Sequence, residues 1–108
     1  MLAVEKREET LVIKVSESRV DMVIARKFRE LLTEQISNQP KRVILDLSVA
    51  QYFDSSALGA LVAFMKDVKA YGGELVLCNL SRSLLTLLKL SRLDLLFEIS
   101  DNLEKSIR

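Results

Sequence analysis

Leu11, Ile13 and Val15 alternate with Val12, Lys14 and Ser16, a period-two pattern that predicts a strand with one better-buried face. Residues 2 to 6 are expected to pair with it. Beyond Asp21, read as an N-cap, Ile24, Phe28, Leu31 and Leu32 recur at helical spacing, while Arg26, Lys27, Arg29, Glu30 and Glu34 hold the other side. This amphipathic helix ends before Pro40. Val43-Ile44-Leu45-Asp46-Leu47 is a nearly unbroken aliphatic run, as in a central strand covered on both faces. A second helix is predicted from Ser56 to about Tyr71, closed by Gly72-Gly73, where glycine accepts the left-handed backbone that ends helices. Glu74 to Cys78 reads as a further strand. Ser81-Arg82-Ser83 can cap a helix carrying Leu84, Leu85, Leu87 and Leu88. Leu95 to Ile99 is expected to form the last strand, and Asp101 to cap a terminal helix with Leu103 and Ile107. The order ββαβαβαβα predicts an α/β fold. Its central sheet has about five mostly parallel strands, and right-handed crossovers place helices against it.

Composition narrows the chemistry. A length of 108 residues, 49% hydrophobic with one Pro and three Gly, fits one domain spanning residues 1–108. The charge is +1, from 16 Lys and Arg against 15 Asp and Glu, so the clustered cations that bind nucleic acid are missing and no nucleic-acid partner is expected. Histidine is absent, which excludes Ser-His-Asp and Cys-His nucleophile pairs, His-ligated zinc and phosphohistidine relays. The single cysteine, Cys78, falls in the apolar run from Leu75 and reads as a buried strand residue. Residues 1–9 lack the basic-then-apolar order of a signal peptide, and the longest apolar stretch, Ala57 to Met65, is far short of a membrane span. A cytoplasmic protein without membrane insertion is expected. No Gly-rich phosphate loop is present, and neither a cofactor nor catalysis is expected.

The informative stretch is Asp46 to Leu61, a strand, a loop and a helix start in which hydroxyls and a carboxylate cluster as Asp54-Ser55-Ser56. Capping alone can account for them, with Asp54 or Ser55 accepting from the free N–H groups of the first helical turn. Projecting the helix at about 100° per residue adds a second feature. Leu58, Leu61, Val62 and Met65 share one stripe, expected to face the sheet, and Ser56, Ala60, Ala63, Asp67 and Ala70 share the opposite side. Solvated faces ordinarily carry long charged side chains. A small, flat row would let another protein approach closely, with Phe64 at its flank as an apolar anchor, unless a third layer or a second copy covers it.

Val43-Ile44-Leu45-Asp46-Leu47, then Phe53-Asp54-Ser55-Ser56-Ala57-Leu58-Gly59-Ala60-Leu61 and Gly72-Gly73-Glu74-Leu75, resembles the STAS domain family, specifically its single-domain bacterial anti-sigma factor antagonists. With Val20-Asp21 and the Leu-rich C-terminal third, the similarity covers nearly the whole chain. The resemblance implies that Ser56, the second hydroxyl of the motif, is a regulated phosphorylation site. With the helix face, it implies a partner surface of Asp21, Asp54, Ser55, Ser56, Ala57, Gly59, Ala60, Ala63, Phe64 and Asp67.

The implied partners are an ATP-dependent anti-sigma serine kinase, which binds the unphosphorylated chain and releases it on phosphorylating Ser56, and a metal-dependent serine phosphatase that resets it. The chain is then substrate and switch, not catalyst. A phosphate adds about −1.5 to −2 charges and bulk that a flat interface cannot absorb. The chain has Ala57 where the family has Gly, and Ser18, Asp21 and Ile24 where it shows Gly, Asp and Thr. Two alternatives stay open: an accessory subunit of a lipid-transport ABC complex, and a partner switch with an output other than a sigma factor.

Overall fold

The computed structural model describes residues 1–101 and 103. Along the chain come β1 (Leu2–Arg7), β2 (Thr10–Val15), β3 (Arg19–Val20), α1 (Ala25–Gln35), β4 (Arg42–Asp46), β5 (Tyr52–Phe53), α2 (Ser55–Ala70), β6 (Glu74–Cys78), α3 (Arg82–Leu90) and β7 (Glu98–Ser100). Five strands form one sheet in the order β1-β2-β4-β6-β7. The β1–β2 pair is antiparallel and the other pairs are parallel, as the alternation of strands and helices predicts. The predicted helix beyond Asp101 lies, Leu103 apart, outside the described residues.

Register explains the core. Ile13 pairs with Leu45 and Leu45 with Leu77, so one face carries an aliphatic row. Phe28 and Leu32 of α1, Leu61, Phe64, Met65 and Val68 of α2, and Leu84 and Leu88 of α3 pack with it in one cluster. The three described helices therefore cover the same face. Val12, Ile44, Val76 and Cys78, one residue out of phase, make a smaller cluster on the other face, with Leu103 packed on it. Cys78 is wholly buried there. Burial and then the negative charge of Asp46 push its thiol up to about 12, so it stays protonated and unreactive at neutral pH.

Three expectations are corrected, and one feature is added. Asp21 is not the N-cap of α1: that position is Ile24, and the Asp21 carboxylate instead accepts from Val23 N at 3.1 Å within the turn ahead of the helix. The last strand begins at Glu98, because Leu93–Leu95 form a 3-10 turn behind Arg92 at φ 59°. Two short strands, β3 and β5, pair in parallel away from the main sheet. Finally, α2 packs against both the sheet and α1, which widens its buried arc. Ala57, Ala60 and Phe64 turn inward, with Phe64 fully buried, while Leu58 and Val62 are only half-buried. Those three residues therefore leave the predicted partner surface.

The C-terminus of α2 closes as predicted. Gly72, at φ 83°, gives its N–H to Lys69 O and Gly73 gives its N–H to Val68 O, both at 3.0 Å, the paired hydrogen bonds of a Schellman cap. Because Phe64 fills the core and not an interface, Phe64→Ala should lower unfolding free energy by about 3–5 kcal/mol in urea titration. Lys66→Ala, on the exposed side of the same helix, should stay within about 0.5 kcal/mol of the parent.

Candidate functional site

The short strands β3 and β5 exist where two loops must meet. Arg19 pairs with Tyr52 and Val20 with Phe53, and the Arg19 guanidinium lies 4.5 Å from the Tyr52 ring centroid. Below them Phe53 meets Phe28 edge-on at 5.6 Å, anchoring the pair to the core. The chain leaves β3 into the Asp21–Ile24 turn and leaves β5 directly into Asp54, so turn and helix start emerge side by side.

Asp54 joins them. Its N–H donates to Val20 O at 3.1 Å; one carboxylate oxygen accepts from Ala57 N at 2.9 Å as the N-cap of α2, and the other accepts from Met22 N at 2.8 Å. A single side chain thus caps α2 and pins the turn. Since Asp54 does the capping, Ser55 and Ser56 are not needed for it. Both are exposed, and among the described residues neither hydroxyl is held in a side-chain hydrogen bond.

Around these hydroxyls the surface is shallow and small. Gly59 is exposed one turn further, and a Cβ built on it meets nothing within 4 Å. Ala63 is half-buried beyond it. Met22 and Val23, at 74% and 83% exposed, project from the pinned turn. On one side of α2, Ser55, Leu58, Gly59, Val62 and Leu93 line an open apolar groove of about 480 Å³ rimmed by Lys66. On the other, Ser56, Gly59 and Ala63 face Ala25, Arg26 and Arg29 of α1 across an open groove of about 290 Å³. Asp67, half-buried, accepts from Arg29 Nη2 at 3.4 Å and ties the two helices.

The geometry thus brings together Asp21, Asp54, Ser55, Ser56, Gly59, Ala63 and Asp67 of the predicted surface. It adds Met22 and Val23, on which the sequence pattern is silent, and Arg26 and Arg29, whose spacing marks a solvated helix side. Ala57, which stands where a Gly was expected, is wholly buried, so its methyl adds nothing to the outer surface. Among the described residues no group of three or more His, Cys, Asp and Glu could hold a metal ion, and no helix is long and apolar enough to cross a membrane.

A model of the STAS domain family matches residues 1–106. The chain belongs to the STAS domain family. This STAS chain is 32% identical over 84 residues to the STAS-domain containing protein PA14_20770 of Pseudomonas aeruginosa (strain UCBPP-PA14), covering 78% of the chain and 82% of that protein. Its fold is that of an anti-sigma factor antagonist from Mycobacterium paratuberculosis, with TM-score 0.86 at 22% identity over 98% of the chain and 89% of the other. It also superposes on the Bacillus cell fate determinant SpoIIAA in its phosphorylated form, with TM-score 0.69 at 20% identity over 97% and 96% of the two chains.

In this STAS chain, replacing Asp54 by Ala should cost about 1 kcal/mol through the lost cap. Amide hydrogen exchange should quicken at Ala57 and, 32 residues away in sequence, at Met22. Exchange unchanged at Met22 would mean that the turn is held by other contacts.

Proposed function

We propose that this protein is a phosphorylation-controlled partner switch of the anti-sigma factor antagonist type. Unphosphorylated, it binds an ATP-dependent anti-sigma serine kinase through the surface around the N-terminus of α2; phosphorylated on Ser56, it lets go, and a metal-dependent serine phosphatase resets it. The chain contributes a substrate hydroxyl and a docking surface, and no catalytic group.

The observation that carries this reading is the exposed pair Ser56 and Gly59. An interior helical Gly costs about 1 kcal/mol relative to Ala, and nothing inside this molecule requires it, since a Cβ there would enter open space. Close approach by another molecule supplies a reason. Ser56 stands beside it with a hydroxyl that the fold leaves idle. A phosphate at that point lies at the positive end of the α2 dipole, which tolerates an anion, so the modification blocks docking without unfolding the domain. Family membership and the shared fold with a phosphorylated SpoIIAA support the reading.

A second reading, a permanent accessory subunit of a lipid-transport ABC complex, draws support from the apolar groove at Leu58, Val62 and Leu93, which suits a lasting contact. Peptide mass spectrometry of the endogenous protein separates the two. A phosphate mapped to Ser56 and lost in Ser56→Ala supports the switch; its absence across growth conditions, with an ABC-type ATPase co-purifying, overturns the switch.

Against the kinase, Ser56→Asp should bind at least about tenfold more weakly, a loss of about 1.4 kcal/mol, while Ser56→Ala binds as the parent does. Ser55→Ala should keep the phosphate on Ser56 and change stability by no more than about 0.5 kcal/mol, because the cap belongs to Asp54. Gly59→Ala should act with opposite signs, raising stability by about 0.5–1 kcal/mol while weakening kinase binding in calorimetry. Unaltered binding would remove close approach at Gly59 from the account.

A further inference from the structure

Ser56 does not open onto bare solvent. It forms one wall of the groove whose other wall is α1, and the two α1 side chains that line it with charge are Arg26 and Arg29. Each guanidinium is occupied, but loosely. Arg26 Nε lies 3.4 Å from Glu30 Oε1 with 93% of its side chain exposed, and Arg29 Nη2 lies 3.4 Å from Asp67 Oδ2. Both separations exceed the 2.7–2.9 Å or so of a strong charge-assisted hydrogen bond, and exposed pairs of this kind exchange partners readily. A phosphoserine offers three acceptor oxygens and nearly twice the charge of a carboxylate. The groove floor of Gly59 and Ala63 leaves room for it.

We propose that phosphorylated Ser56 is latched intramolecularly: Arg26 leaves Glu30 and, with Arg29, closes over the phosphate in the groove between α1 and α2. The inference rests on the reading of Ser56 as the modified residue and deepens it. Phosphorylation then does more than add charge at the helix start. It fills the groove, withdraws two cations from any partner, and leaves the carboxylates of Glu30 and Asp67 uncompensated on the docking face. Other charges bearing on the phosphate are Asp54 at the cap of α2, and Asp21 in the preceding turn, paired with Arg19. These carboxylates oppose a dianion, so the arginines must outweigh them.

The test uses full-length protein with phosphoserine installed at position 56 by codon reassignment, followed by 31P NMR as pH is varied. Nearby cations favour the dianion and lower the second phosphate pKa from its usual value of about 6. The latch predicts a pKa about one unit lower in the otherwise native protein than in the Arg26→Gln, Arg29→Gln double variant, with the difference shrinking in high salt. It also predicts that the Nε–H signal of Arg26 moves on phosphorylation in the native sequence, a readout that needs no variant. Equal pKa values with an unmoved Arg26 signal would overturn the latch. Because the phosphoserine is incorporated during translation, that outcome is independent of whether cells modify Ser56, which phosphopeptide mapping decides.

Discussion

Asp54 has to satisfy two separate stretches of backbone at once, and the architecture around the site follows from that demand. One of its oxygens closes the first turn of α2; the other holds Met22 in the turn ahead of α1. The second bond requires β3 and β5 to run side by side, and Phe53, seated against Phe28 beneath them, anchors that pair to the core. The carboxylate therefore links core packing to surface geometry. It fixes where Ser55 and Ser56 emerge, and by taking over the capping it leaves their hydroxyls free for chemistry with another molecule.

A rigid frame with an idle hydroxyl at its edge is a suitable basis for a switch that works by charge. In the proposed switch the sheet and its helical layer need not move when Ser56 is phosphorylated. What changes is a small, shallow surface bounded by an apolar groove on one side and an arginine-lined groove on the other. Such a surface admits a partner closely when bare, and a dianion on it alters both charge and shape within a few ångströms. Burial of Ala57 means that the residue standing in place of the usual Gly leaves that surface as it was.

Strong periodic signals translated well from sequence. The alternation in Leu11 to Val15, the nearly unbroken run at Val43 to Leu47 and the glycines after Tyr71 led to β2, β4 and the closure of α2. The order of strands and helices led to the mostly parallel sheet. The inner face of α2 was misjudged because apolar and small residues surround that helix, so a single stripe cannot be picked out when both the sheet and α1 bury it. By pattern alone Ala60 and Phe64 are therefore indistinguishable from surface positions. Two-residue strands such as β3 and β5 carry no alternation to detect, and the turn at Asp21 depends on Asp54, distant in sequence. The leucines between 84 and 96 divide by tertiary context: Leu90 and Leu95 are 79% exposed, while Leu84 and Leu88 are wholly buried.

The claim that the α2 surface is a docking face closed by charge at Ser56 is tested most directly by photocrosslinking in living cells. A photoreactive amino acid would replace exposed Lys66 on the rim of this face, or exposed Lys14 on the opposite face of the sheet as a control. The account predicts a protein adduct at position 66, lost when Ser56→Asp is added, and none at position 14. An adduct at position 66 that persists undiminished with Ser56→Asp, or one that forms only at position 14, would contradict it.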